Sequence, residues 1–183
     1  SIPDPVIYLE HIGMYGLRGG LTGWGDNINQ ILDKDTVQDH LDSQSGCYKI
    51  GKAEVVRGGE DATIITYGAM THVALKAAEI LAEQGKQIEI IDLRTILPFD
   101  STTCVNSVKR TGRYMVLQEA QYSGGFGHTI SSRIQEEVFY FLEAAPVIVG
   151  ALDTPVPFSP TLEDHTIPDV DLVVSHLQNL CSL

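Results

Sequence analysis

The sequence predicts an α/β domain with three layers, in which a mostly parallel sheet of five strands lies between two layers of helices, over residues 51–183. Short apolar runs rich in Val and Ile alternate along this stretch with segments of helical periodicity. Parallel strands need such crossover helices, which then cover both faces of the sheet. Apolar residues make up 43% of the chain, which is typical of a packed core.

Five runs are predicted as strands because they are short, apolar and bounded by turn residues. The run at 62–67, ATIITY, is apolar at successive positions, as in a strand buried on both faces. In chain order the predicted strands are 52–56, 62–67, 88–93, 114–119 and 147–151.

The first two predicted helices have clear end residues. One covers 71–84, with Thr71 as the N-cap and Gly85 just past the end. Its apolar stripe is expected at Val73, Ala77, Ile80 and Leu81. The other runs to Arg110, with Asp100 or Ser101 as its cap and with Lys109 and Arg110 at the C-terminal end of its dipole.

Two more helices are predicted from apolar periodicity. One follows the glycine-rich turn that begins at Glu119, and the other ends the chain with Asp169 near its cap. Their apolar stripes are Ile130, Ile134, Val138 and Phe141 for the first, and Val170, Val173, Val174, Leu177 and Leu180 for the second.

The first 50 residues are less regular. Residues 1–15 are predicted to form one strand, and residues 16–50 a connection with a short helix around Ile28, Ile31 and Leu32. Because the chain starts inside the apolar run Val6–Leu9, we expect it to be a segment of a longer protein.

The charge balance excludes several partners. Acidic residues outnumber basic ones 24 to 12, for a net charge of −12, which argues against nucleic acid and against anionic membranes. A basic protein would instead be attracted. The three cysteines form no C-x-x-C, so inert thiols in a reducing intracellular compartment are expected. No apolar run reaches the ~18 residues of a membrane span.

The turn EAQYSGGFGHTISSRI, residues 119–134, combines a strand, glycines and a helix. A dinucleotide fingerprint needs a third glycine where Ile130 stands, and no P-loop lysine follows. Two interpretations remain: a chain reversal in which the glycines supply backbone freedom, or a helix N-terminus that holds an anion or a partner carboxylate.

The histidines and acids predict no active site. His72 and His128 stand near predicted helix starts without a nucleophile or an orienting acid, so we expect surface or capping histidines. The other histidines show no metal-ligand spacing, and Glu163 and Asp164 are expected in a solvated loop. The segment DTPVPFSP, residues 153–160, is predicted to be a rigid extended loop, either in a subunit contact or packed on its own domain.

Five phrases of the sequence resemble one family in the family's own order. They are DPVIYLEH, IGKAEVVRGGEDATIITYGAMTHVALKAAEIL, IEIIDLRTILPFD, SVKRTGRYMVLQEAQYSGGFGHTIS and LDTPVPFSPTLEDHTIPD. They closely resemble the β subunit of thiamine-diphosphate-dependent 2-oxo acid dehydrogenases of the pyruvate, branched-chain and acetoin types. The resemblance implies that residues 51–183 form a transketolase C-terminal-like domain, that residues 1–15 are the last strand of a truncated pyrimidine-binding domain, and that 16–50 is a linker.

The resemblance assigns no catalytic, cofactor-binding or metal-binding residue. The family's cofactor glutamate and active-site histidine lie before the phrase DPVIYLEH, outside this chain. Some members hold a structural cation there; here only Asp4 matches, and Ile2 replaces an acidic residue. The segment 16–47 also looks longer than the family's connection. Thiamine diphosphate and Mg are therefore expected in an intact α2β2 enzyme and not in this chain, which we expect to be inactive alone.

The implied role is assembly and docking. In the family, the intact enzyme decarboxylates a 2-oxo acid and passes the acyl group to lipoamide on the dihydrolipoamide acyltransferase core. Expected partners are the α subunit, a second β subunit and that core, in a bacterial cytoplasm or in an organelle matrix. The expected partner-binding residues are Asp153 and the C-terminal carboxylate of Leu183. Alternatives are the C-terminal domain of a transketolase or deoxyxylulose-phosphate synthase, and a non-catalytic flavodoxin-like binding module.

Overall fold

The computed structural model describes residues 5, 7–14 and 50–182, which contain a five-stranded sheet with helices on both faces. Its strands are β1 Glu54–Arg57, β2 Ala62–Thr66, β3 Ile88–Asp92, β4 Tyr114–Gln121 and β5 Val147–Ala151. Its helices are α1 Met70–Glu83, α2 Ser101–Thr111, α3 Gly127–Val138, α4 Pro160–Asp164 and α5 Val170–Leu180. Two 3-10 turns cover Ile12–Met14 and Phe139–Phe141.

The strands lie in the order β1-β3-β2-β4-β5. β2 pairs in parallel with β3 and β4, and β4 with β5, whereas β1 is antiparallel to β3. The predicted five-stranded, mostly parallel sheet is therefore confirmed. Because the four parallel strands point the same way, the segments that follow them meet at one edge, here called the carboxyl edge.

Alternate residues of the central strand enter the two halves of the core. β2 is buried at all five positions, as predicted, because both of its faces are covered. Ile64 packs in the half that α1 and α5 cover, with Ala77 and Leu177. Ile65 packs in the other half, under α2 and α3, with Val105.

The predicted ends of three helices agree with the structure. Asp100 caps α2, where its Oδ1 accepts a hydrogen bond from the Thr103 N–H at 3.2 Å. Asp169 caps α5 in the same way, with a 2.8 Å bond from the Leu172 N–H. Gly85 follows α1 with φ +80°, which favours glycine.

Three local predictions are wrong. Thr71 is not the cap of α1, because the helix starts at Met70 and Thr71 lies buried in its first turn. Ile80 is 37% exposed because it lies roughly a quarter-turn from the centre of the buried face of α1. Phe141 is 52% exposed because α3 ends at Val138 and a 3-10 turn redirects the chain.

Few of the described residues of the amino-terminal segment contact the rest of the domain. Within the described residues, 7–11 belong to no strand of the sheet, and Ile7, Tyr8 and Leu9 are each at least 80% exposed. Met14 packs against the core on the α1 and α5 face. The strand and the division at residue 15 remain predictions, and the connection with its short helix lies outside the described residues, as do Ile2 and Asp4.

One element was not predicted. Helix α4 lies in the tail that the sequence suggested was a loop, and Pro160 stands at its start, a position that tolerates proline because no N–H is needed there. Within the part of the chain that is described, no helix combines the length and apolar character that crossing a bilayer requires.

Candidate functional site: the carboxyl edge of the sheet

Two loops lie together at the carboxyl edge. The glycine turn, residues 122–127, follows β4, and the proline loop, residues 153–160, follows β5. The Tyr122 N–H donates to the Ala151 carbonyl at 2.8 Å, and the Gln121 side-chain amide donates to the Thr154 carbonyl at 2.7 Å. Pairing of β4 with β5 thus continues into a contact between the loops.

The side chain of Gln118 closes the glycine turn from inside. This residue is fully buried on β4. Its Nε2 donates to the Gln121 carbonyl at 3.0 Å, and its Oε1 accepts from the Gly127 N–H at 2.6 Å. The first amide of α3 therefore already has an acceptor within the protein. This arrangement agrees with the chain-reversal interpretation, and it removes the Gly127 amide from any anion site.

The glycines let the backbone approach this amide. A Cβ on Gly125 would stand 2.0 Å from the Gln118 Nε2, and one on Gly127 would stand 2.7 Å from its Oε1. Gly124, with φ +82°, reverses the chain. Gly125 and Gly127 are thus required because a side chain would not fit there, and Gly124 because of its backbone conformation.

Asp153 joins the two loops from outside. Its Oδ1 accepts from the Ser123 N–H at 2.8 Å, and its Oδ2 accepts from the Ser123 hydroxyl at 2.7 Å. These two bonds, together with the nearby His128 ring, hold the pKa of Asp153 below its ordinary value. The carboxylate remains exposed, so Ser123 orients it without covering it. Its role in binding a partner remains a prediction, and Leu183 lies outside the described residues.

The two candidate histidines lie in different surroundings. His128, in the first turn of α3, is exposed and packs edge-on against Tyr122 with 4.8 Å between ring centres. His72 is only 5% exposed, so the prediction of a surface or capping histidine is wrong there; it lies inside the first turn of α1. Glu163 and Asp164 are exposed on α4.

The thiols of the described residues are poorly suited to catalysis. Burial raises the pKa of Cys104 to about 12, with a further contribution from the Asp100 charge. Burial also raises the pKa of the partly buried Cys181. Both agree with inert thiols, and Cys47 lies outside the described residues.

Bulky apolar side chains are exposed around the two loops. We call them the carboxyl-edge patch; they are Tyr122, Leu152, Val156, Phe158 and Leu162. Phe158 is fully exposed and Val156 is 73% exposed, so these two side chains of the proline loop do not pack on their own domain. An exposed group of this kind is typical of an interaction surface.

The remaining polar groups of the edge form a smaller cluster. The Tyr67 hydroxyl lies 3.5 Å from the Gln118 Oε1, and burial followed by the charge of Glu119 raises the pKa of Tyr67. Glu119 in turn pairs with His11 at 3.0 Å, which ties the amino-terminal segment to β4. Gln118 is the central residue that sequence reasoning missed. Its only sequence feature is an amide inside an apolar run that precedes glycines.

The described residues do not fit a diphosphate with its metal ion. Among them, no three His, Cys, Asp or Glu side chains gather as metal ligands. The Gly127 amide, which could have faced a phosphate, is bonded to Gln118. The expectation that this chain binds no thiamine diphosphate alone remains a prediction.

Comparison with known families and structures gives a consistent result. The family model described as "Transketolase, C-terminal domain" matches residues 51–173. Among solved structures, a split gene transketolase described as an inactive beta4 tetramer matches with a TM-score of 0.65 and 28% identity, over 74% of this chain and 44% of that one. These matches confirm the predicted transketolase C-terminal-like fold.

Curated relatives carry the names of β subunits. The acetoin:2,6-dichlorophenolindophenol oxidoreductase subunit beta of Cupriavidus necator is 41% identical over 167 residues, which are 90% of this chain and 43% of that one. The pyruvate dehydrogenase E1 component subunit beta of Rhizobium meliloti is 34% identical over 98% of this chain and 35% of its own length. A chloroplastic beta-2 subunit of Arabidopsis thaliana is 33% identical over 97% and 39%. The resemblance to such β subunits is confirmed, and the chain spans less than half the length of these relatives.

Proposed function

The chain belongs to the transketolase C-terminal domain family, and from this membership we propose that it is the C-terminal part of the β subunit of a thiamine-diphosphate-dependent 2-oxo acid dehydrogenase. The observation that carries the proposal is the similarity to acetoin and pyruvate enzyme β subunits over 90–98% of the chain. Its role there is to build subunit contacts and to dock the dihydrolipoamide acyltransferase core. Thiamine diphosphate and Mg belong to the intact α2β2 enzyme, whose reacting groups lie elsewhere.

The exposure of the amino-terminal segment supports the proposal that a preceding domain packs against it. Ile7, Tyr8 and Leu9 are consecutive, so in an extended chain they face both sides. All three are at least 80% exposed here. A sheet in a preceding pyrimidine-binding domain would bury both sides of such a strand, and the His11–Glu119 pair would fix its exit to this domain.

The docking role rests on the carboxyl-edge patch and on Asp153. The patch provides apolar contact area, and the carboxylate of Asp153 is held outward by Ser123. The net charge of −12 attracts a small basic domain, as the subunit-binding part of an acyltransferase is expected to be. We also propose the terminal carboxylate of Leu183, which lies outside the described residues, as a second contact.

Surface plasmon resonance with the acyltransferase's subunit-binding domain tests this role. We expect Asp153→Asn to weaken binding and to flatten its dependence on salt. Ser123→Ala keeps the charge but removes the hydroxyl that orients it, so it should have a smaller effect. Asp164→Asn on α4 is the control for charge alone. Affinity that survives Asp153→Asn combined with deletion of Leu183, or that ignores salt, would remove the docking proposal.

Titration calorimetry with thiamine diphosphate and Mg tests the proposal that the cofactor-binding residues lie outside this chain. We expect no binding to this chain alone, since its described residues present neither free turn amides at Gly127 nor a cluster of metal ligands. Binding with a Kd of about 1 μM, equivalent to roughly −8 kcal/mol, would show that the cofactor residues are here after all.

A transketolase is the second candidate, because the solved split gene transketolase shares the fold. Its identity of 28% over 74% of the chain is lower than the 41% over 90% of the acetoin enzyme's β subunit, so the dehydrogenase is favoured. Co-expression with the α subunit of a 2-oxo acid dehydrogenase distinguishes them, since only a dehydrogenase β chain should be retained by that subunit.

A further inference from the structure

A histidine adjoins the proposed docking contact. His128 is exposed in the first turn of α3, and its ring packs edge-on against Tyr122 with 4.8 Å between ring centres. Tyr122 directly precedes Ser123, whose N–H and hydroxyl both donate to Asp153. His128 and Asp153 therefore flank the same short segment of the glycine turn, although they come from different elements, α3 and the proline loop.

The charged groups around His128 come from three elements. From the proline loop, Asp153 interacts with it: the charge of His128 adds to the two Ser123 bonds in lowering the pKa of Asp153. On the strand before the turn, Glu119 is already in an ion pair. On α3 itself, Arg133 lies about 140° around the helix axis and two serines occupy the next turn, so the nearest charge there is the positive end of the helix dipole.

Protonation of this histidine changes the charge that a partner meets. Histidine is the side chain whose charge ordinarily changes between about pH 5 and pH 8. Asp153 keeps its negative charge over that range, because the Ser123 bonds hold its pKa below the ordinary value. A proton on His128 would add a positive charge beside this carboxylate, at the positive end of the α3 dipole. A basic partner would then meet a smaller net negative charge.

We propose that protonation of His128 weakens the docking of a basic partner at Asp153, so that docking depends on pH between about 5 and 8. This inference rests on the docking role proposed above. With a neutral imidazole, the carboxylate attracts a Lys or Arg of the partner, and an imidazolium beside it repels the same cation. Both side chains are exposed, so solvent screens them and the change in affinity is about two- to fivefold.

Surface plasmon resonance with the acyltransferase's subunit-binding domain, at about pH 5.5 and pH 8 and one ionic strength, tests the inference. We expect the wild type to bind about two- to fivefold more weakly at the lower pH. His128→Gln stays neutral and should lose this change. His128→Lys stays charged and should bind at pH 8 about as weakly as the wild type does at pH 5.5. Histidines of the partner affect all variants equally, so the comparison between variants isolates His128.

A second exposed histidine provides the matched control. His165 stands where α4 ends, and its charge does not contribute to the lowered pKa of Asp153. His165→Gln should therefore keep the pH dependence of the wild type. If His128→Gln also keeps it, the inference is overturned while the docking proposal stands. If neither the wild type nor any variant binds the domain at either pH, the docking proposal fails and this inference fails with it.

Discussion

Asp153 accepts two hydrogen bonds from Ser123, one at each carboxylate oxygen, at 2.8 and 2.7 Å. Thirty residues separate them in the sequence. The bonds join the glycine turn after β4 to the proline loop after β5, so the surface proposed for docking has a fixed shape before any partner arrives. Such preorganisation lowers the entropy cost of association.

The Asp153–Ser123 pair makes stability depend on pH. Because these bonds lower the pKa of folded Asp153, its contribution is present above the unfolded pKa of about 3.9 and is lost as the pH falls through the folded value. We expect Asp153→Asn to be less stable than the wild type at about pH 6, and the difference to shrink as the pH falls through the folded pKa. Urea unfolding over this range measures the difference, with Asp164→Asn as the control. A deficit that is unchanged at low pH would contradict the assignment.

Removal of Gln118 should destabilise the fold. Gln118→Ala leaves the buried Gly127 N–H without its acceptor, and we expect the free energy of unfolding to fall by about 1–3 kcal/mol. Gln121→Ala is the matched control, because its amide is exposed and bonds the Thr154 carbonyl from the surface. Denaturant unfolding compares them. If the two variants lose the same stability, the buried amide is not what closes the turn.

A methyl group on Gly125 should also be costly. Gly125→Ala would bring a carbon to 2.0 Å from the Gln118 Nε2, so the buried amide or the turn must move, at about 1–3 kcal/mol. Gly58→Ala meets nothing within 4 Å and is the control. Thermal unfolding should show a clear loss for the first and little change for the second. If Gly125→Ala leaves the thermal stability unchanged, the turn is less tightly packed than the structure indicates.

The fold was largely predictable because its parallel strands contain short runs of buried, mostly apolar residues. A run such as 62–67 must lie inside a sheet covered on both faces, and it does. The wrong predictions concern residues at the ends of helices and at the margins of their buried faces. Phe141 continues the helical spacing of α3, yet the helix stops at Val138, where the chain must turn back to start β5. Spacing alone does not reveal where tertiary packing ends a helix.

The candidate site was less predictable than the fold. Asp153 was identified through the proline loop and a family resemblance, but its partner Ser123 was not, because their contact depends on β4 and β5 being neighbours. Gln118 was read only as part of a strand, and its role follows from the two hydrogen bonds it makes across the turn. Contacts between residues distant in sequence need the sheet order, which periodicity does not supply.

The central claim, that the carboxyl-edge patch is a subunit contact as well as a docking surface, is tested most directly by sedimentation of the chain alone at about 100 μM, a concentration at which even weak pairing is visible. We predict a mass above the 20.0 kDa monomer for the wild type, and a shift toward the monomer for Phe158→Ser. Phe139→Ser, at the opposite edge, should leave the mass unchanged. A strictly monomeric wild type, or a Phe158→Ser variant that associates as the wild type does, would contradict the account.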